Sequence, residues 1–289
     1  MQIVHIRFAM RALILMIFPL ILCKATALNV VTTFPSLKED VRLIAPNDSI
    51  YAIPALSHDY ELTPKDVEMI KKADIVISTA HTHFESRIAE MKEKGEIKGV
   101  LFEIPKIKGI VFLKYPESGK INPHMPIYDP HNYEVFIRAL AEELQKLNPS
   151  EKYIERAEKV CREVEDIVNK TEKLNGTALV DYPYAQYAVT WMGLKVVGIV
   201  FGAPTTPKTF KRVDYLVLTR NSTKSESLLE NVECSKVIYI DSPFVKKSIL
   251  KKLKDIEVKE KTVKKTPCYT AILVILALVV LCLRSGLLR

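Results

Sequence analysis

One segment, residues 151–174, limits the fold more than any other. Its apolar residues Tyr153 and Ile154, Ala157, Val160 and Cys161, Val164, and Ile167 and Val168 recur every three or four positions among charged neighbours. That spacing predicts a long amphipathic helix with a narrow apolar stripe, suited to lie along the outside of two bodies rather than inside one. It is expected to end near Asn175-Gly176, where glycine suits a helix C-terminus. On either side of it, short β-branched runs alternate with helical patterns. Before it come strand-like runs at 28–35, 50–53, 74–78, 100–104 and 110–113, with helices at 38–44, 64–73 and 133–147. After it come 178–180, a helix at 184–192, 195–200, 215–219, 228–232, 237–240 and a helix from Phe244. Strands that alternate with helices imply parallel sheets. The expectation is therefore α/β: two lobes with parallel sheets joined by one long rigid helix, with lobes at 28–149 and 176–258 and the linking helix at 150–175.

The best-specified local structure is Thr63-Pro64-Lys65-Asp66. Thr63 suits an N-cap, proline the first helical position, and Asp66 the third position of a capping box. Val67, Ile70 and Ala73 follow at helical spacing, and Asp74–Ser78 then becomes a short β-branched run that suits a buried strand. His58 thus precedes a helix, while His81 and His83 follow a strand. Such loops are where α/β folds keep residues that touch ligands.

The ends have their own character. Residues 1–27 carry basic residues, an apolar run over 12–23 and Ala25-Thr26-Ala27, the pattern of a cleaved signal peptide. Residues 259–267 read as a charged tether, and 268–289 as a C-terminal transmembrane anchor, apolar throughout 269–283. Together they place the protein at the cell membrane, on the extracytoplasmic face. The net charge of +8 excludes little by itself, because Arg7, Arg11, Lys24, Arg284 and Arg289 lie in these acid-free ends. The central part is nearly balanced, so nucleic acid is not an expected partner. Cys161 and Cys234 are the only cysteines of the central part. A bridge between them is open outside the cell, with two separate buried thiols the preferred reading.

No nucleophile elbow, phosphate-binding loop or HExxH motif is present, so no covalent chemistry is expected. What remains is a set of imidazoles on loops: His58, His81, His83, His124 and His131. Neutral imidazoles at strand ends can converge on one borderline divalent ion. Two stretches carry a resemblance. SHDYELTPKDVEMIKKADIVI resembles the HDYEPTPSDIxxLxxADLVV signature of the metal-binding solute receptors of ABC transporters, the TroA-like (cluster A-I) zinc and manganese family. NPHMPIYDPHNYEVFIRALAEELQKLNP resembles that family's NPHxWLDPxNA segment and the helix after it, and VVTTFPSLKEDVRLIA is similar to its first strand and helix.

The resemblance implies an extracytoplasmic receptor that holds a divalent transition metal, zinc or manganese, as cargo between its lobes and delivers it to an ABC permease. No catalytic cofactor is implied. It makes His58 and His124 ligands from the first lobe and Asp241 the acidic ligand of the second. At the third position the family's HPAFGYFAxxYGL pattern has a histidine or acid. Here the sequence runs Asp181-Tyr182-Pro183-Tyr184, which puts Tyr182 in the ligand slot. A phenol ionises only near pH 10 in water, so it is a weaker donor at neutral pH. Asp181, His81 or His83 could supply the donor instead. Two other readings stay open: a surface adhesin or scaffold that has lost the metal, and a metal-dependent enzyme with Asp181 or Glu85 as base.

Overall fold

The computed structural model describes residues 27–57, 59–202 and 212–261. The expected signal peptide and transmembrane anchor, and His58, lie outside the described residues. Among the described residues no helix is long and apolar enough to cross a membrane.

The first sheet is built from β1 (Asn29–Thr32), β2 (Ser49–Ala52), β3 (Ile75–Ser78) and β4 (Val100–Glu103), in the order β2-β1-β3-β4. All of its pairings are parallel, as the alternation implied. Helices α1 (Pro35–Ile44), α2 (Pro64–Lys72), α3 (His83–Glu93) and α4 (Pro130–Leu147) belong to this half. The α2 start is as read from sequence. Thr63 Oγ1 accepts from the Asp66 amide at 3.2 Å, and Asp66 Oδ2 accepts from the Thr63 amide at 2.8 Å. Together the two bonds satisfy two amides that a helix start otherwise leaves open.

The long helix is α5 (Tyr153–Lys170), slightly shorter than expected at both ends. Its stripe of Tyr153, Ala157, Val160, Cys161 and Val164 is buried. It packs against α1 and α4 of the first half and α9 (Ile249–Lys254) of the second. Across these contacts Arg138 pairs with Glu158 at 3.0 Å and Lys254 with Glu163 at 2.6 Å. The stripe is narrow because it covers only the seam between neighbours, while its other faces stay in water.

The second sheet has the order β6-β5-β7-β8-β9, formed by β5 (Gly176–Val180), β6 (Leu194–Ile199), β7 (Arg212–Thr219), β8 (Glu233–Ile240) and β9 (Glu257–Glu260). The pairs β5–β6, β5–β7 and β7–β8 are parallel. Its helices are α6 (Pro183–Thr190), the short α7 (Thr223–Glu226) and α8 (Leu228–Asn231), and α9. Gly193, at φ +95, turns the chain into β6 where a Cβ would meet the Leu174 carbonyl oxygen at 2.5 Å.

Three local expectations are corrected. Residues 110–113 do not join a sheet. The Asn132 side chain takes the place of a strand partner, accepting from the Val111 amide at 2.7 Å and donating to the Val111 carbonyl at 2.8 Å. Residues 228–232 are mostly the helical turn α8 rather than strand. The last helix starts at Ile249 rather than Phe244, because Ser248 caps it by accepting from the Lys251 amide at 3.2 Å. The two central cysteines are not bridged to each other, Cys161 being buried and Cys234 partly so.

Candidate metal centre

Parallel strands all end on the same side, and ligands in α/β folds gather outside those carboxyl ends. In this chain β1, β3, β5, β7 and β8 each run into a residue lining one cavity of about 400 Å³: Phe34, Thr79 and His81, Tyr182, Ser222, and Ser242 respectively. His124 and Met125 line it as well, from the loop before α4. The described residues with left-handed backbone other than glycine are Ala80, Met125 and Asn221, at φ 51, 55 and 59. Each is the chain neighbour of His81, His124 or Ser222. Such backbone costs about 1–3 kcal/mol at a non-glycine residue and collects at functional sites.

His81 is held by the carboxylate of Glu85, a buried residue in the first turn of α3. That carboxylate accepts from the amides of Thr79 (2.7 Å), His81 (3.1 Å) and Thr82 (3.1 Å), and from the hydroxyls of Thr33 (2.6 Å), Ser78 (3.0 Å), Thr79 and Thr82. Burial pushes Glu85 upward, but these donors outweigh it and hold the acid below its ordinary range. The loop carrying His81 is in effect wrapped around an anion.

His124 is fixed by a chain of amides whose orientations are determined one from the next. Gln186 Nε2 donates to the Lys114 carbonyl at 2.9 Å, so its Oε1 faces Asn122. Asn122 Nδ2 donates to Gln186 Oε1 and to the Pro183 carbonyl, both at 2.9 Å. Asn122 Oδ1 therefore faces His124, 3.1 Å from its amide and 3.1 Å from its Nδ1. A carbonyl oxygen can only accept, so this contact favours the tautomer with its proton on Nδ1 and its lone pair on Nε2. This is the tautomer that a metal-binding histidine needs. Tyr115 Oη lies 2.9 Å from the same Nδ1. The imidazoles of His81 and His124 meet edge to face with ring centroids 4.9 Å apart.

Tyr182 lines the cavity from the N-cap position of α6, its ring stacked on Tyr184 at 5.5 Å. Asp181 beside it points elsewhere. Its Oδ1 accepts from the Tyr182 amide at 2.7 Å, and its Oδ2 from the Thr219 amide at 2.5 Å and the Ser225 hydroxyl at 2.6 Å. Burial raises its pKa despite those bonds. Asp241 is also buried, and does not line the cavity: Oδ1 is 3.2 Å from Arg220 and Oδ2 is 2.7 Å from Lys247. His83 is exposed in the first turn of α3. The structure thus brings together His81, His124 and Tyr182, and leaves Asp181, Asp241 and His83 outside the lining. Among the described residues no three His, Cys, Asp or Glu side chains form a metal-holding group.

Asn122 was missed as a positioning residue, although its place two residues before His124 in Asn122-Pro123-His124 is a local signal. Arg220 and Lys247, which neutralise Asp241, left no trace in the sequence, because they reach it from 21 and 6 residues away without any periodic pattern.

Comparison with known proteins agrees with this picture. The solute-binding protein FpvC from Pseudomonas aeruginosa, solved in complex with Mn2+, is 18% identical, with 79% of this chain and 94% of that one covered at a TM-score of 0.60. The periplasmic zinc-binding protein TroA from Treponema pallidum is 15% identical, with coverage of 79% and 96% and a TM-score of 0.59. The laminin-binding protein Lmb of Streptococcus agalactiae, described as a bifunctional protein with adhesin and metal-transporting activity, is 17% identical, with coverage of 79% and 96% and a TM-score of 0.61. At such identities the likeness is one of fold. No curated protein shows significant sequence similarity to the chain. The profile of the ZnuA family, zinc-uptake complex component A, periplasmic, matches residues 30–227. With most of both lobes matched, the chain belongs to the ZnuA family.

Proposed function

We propose that the protein is the extracytoplasmic receptor of a metal ABC transporter, taking a divalent transition metal into the cavity between its two sheets for delivery to the permease. One observation carries this reading: His81 and His124 meet at the carboxyl edges of parallel strands, inside a cavity, in a member of the ZnuA family. His124 presents Nε2 in the tautomer that its contact with Asn122 favours, and His81 adds a second imidazole. His58 is a third nitrogen donor by its motif, and Tyr182 a candidate oxygen donor. Asp241 is a ligand in this scheme only if Arg220 and Lys247 release it. The zinc and manganese bound by related receptors are the natural cargo to test.

An enzymatic role finds less support. Glu85 and Asp181, the acids that could act as base, are both fully engaged by hydrogen bonds within the protein. Anchoring of the receptor by residues 268–289 belongs to the same proposal and rests on their apolar sequence.

Elemental analysis of the purified protein and calorimetric titration with zinc and manganese test the reading. The expected result is one ion per chain, with affinity falling by orders of magnitude in His124→Ala and in His81→Ala. Protein that takes up no metal would favour the scaffold or adhesin role instead.

A further inference from the structure

The cavity is far larger than an ion. A metal with donors about 2 Å away occupies roughly the place of one water, about 30 Å³. A volume of about 400 Å³ falls within the range of small-molecule sites. Apart from its histidines the lining is largely aromatic and apolar, with Phe34, Met125, Pro183, Tyr184, Pro243 and Phe244. Phe34 and Phe244 pack with centroids 5.9 Å apart, and Tyr182 stacks on Tyr184.

Charge is the second consideration. A divalent cation in an apolar cavity needs anions beside it, since an unbalanced buried charge is strongly unfavourable. No carboxylate is among the described lining residues. The three acids next in line are engaged behind the lining rather than in it: Glu85 by its ring of amide and hydroxyl donors, Asp181 by two amides and Ser225, and Asp241 by the cations Arg220 and Lys247. The undescribed internal positions, 58 and 203–211, contain no acid. Two helix starts at the cavity make the field still less favourable to a bare cation. Phe34 and Tyr182 are the N-cap residues of α1 and α6; neither cap makes a side-chain hydrogen bond, and neither first turn contains an acid. Such ends attract anions.

We infer that the cargo enters as a metal chelate: a divalent metal already bound to a small, planar, anionic organic ligand. The histidines bind the metal, the organic ligand supplies the anionic donor that the lining lacks and faces the helix starts, and its flat surface packs among the aromatic side chains. This rests on the receptor reading above and specifies the chemical class of its cargo.

The test uses purified full-length protein stripped of metal with EDTA. Zinc chloride and the equimolar complex of zinc with picolinate, a planar pyridine carboxylate, are compared by calorimetry and native mass spectrometry. The expected result is a species with the mass of protein, zinc and picolinate together, and binding at least tenfold tighter than with zinc alone. Phe244→Ala should reduce that gain. Zinc bound equally tightly with picolinate left in solution would overturn the chelate inference while the receptor reading stands. So would tight binding of zinc alone that Tyr182→Phe abolishes, because the anion would then be the Tyr182 phenolate. Absence of zinc from the protein in both arms would overturn the receptor reading as well.

Discussion

Replacing Asn122 with alanine should separate the protein's stability from its affinity in a calculable way. The wild-type amide is fully buried and satisfies the Pro183 carbonyl, Gln186 Oε1 and the His124 amide, so its loss leaves three buried polar groups without that partner. Each such group costs about 1–3 kcal/mol. Water entering the vacated space recovers part, so the net loss should be about 3–5 kcal/mol. For a chain of this size each kcal/mol lowers Tm by about 2–4 °C, which gives a drop of about 6–20 °C in a melting curve. The effect on binding has a different origin. Without Asn122 Oδ1, the Tyr115 hydroxyl is left to donate to His124 Nδ1. That favours the tautomer with its proton on Nε2, and zinc affinity should fall about 10–100-fold. Gln186→Leu is the comparator. It removes one partner of the same amide but keeps both bonds to His124, so Tm should fall while zinc affinity holds. Nitrogen shifts of the His124 ring, read by NMR in wild type and Asn122→Ala, report the tautomer directly. Wild-type zinc affinity in Asn122→Ala, or equal losses of affinity in both variants, would refute the tautomer mechanism.

Three further outcomes are expected. Asp40 is fully buried, its Oδ1 accepting from Tyr133 Oη at 2.8 Å and the Ile249 amide at 2.7 Å; burial raises its pKa from 3.8 to about 7, against the pull of Lys252 and those bonds. A carboxyl with a raised folded pKa holds its proton more tightly when folded, so this group's contribution to stability should fall as pH rises from about 4 to about 7. Melting curves across that range should show the decline in wild type and not in Asp40→Asn; the reverse slope would contradict it. Glu85 has the opposite sign: its depressed pKa stabilises the fold above the ordinary carboxylate range, with loss as pH falls below it. Glu85→Ala should therefore lower Tm at neutral pH and weaken zinc binding through the His81 loop, with the Tm difference from wild type narrowing in acid. Because Cys161 and Cys234 are not bridged to each other, a reducing agent should not lower Tm by opening a bond between them.

Much of the architecture was legible in the sequence because it depends on local chemistry. The Thr63-Pro64-Asp66 start of α2 is a matter of three side chains and their own backbone. The stripe on α5 follows from helical periodicity, and the alternation of strands and helices is enough to demand parallel sheets. Residues 110–113 failed as a strand because strand-forming residues do not reveal who bonds their backbone, and here the partner is the side chain of Asn132. The site divided the same way. His124 was legible because a short motif surrounds it. His81 is as short-range in sequence, but only the return of β3 to the cavity edge set it against the His124 ring. Asp181 and Asp241 have the composition of metal ligands, and only the tertiary structure decided that Ser225, Thr219, Arg220 and Lys247 already engage them. Helix starts and periodic faces depend on neighbours a few residues away. Whether an acid is available to an ion depends on which cations and donors the fold brings to it, and those lie at no fixed distance along the chain.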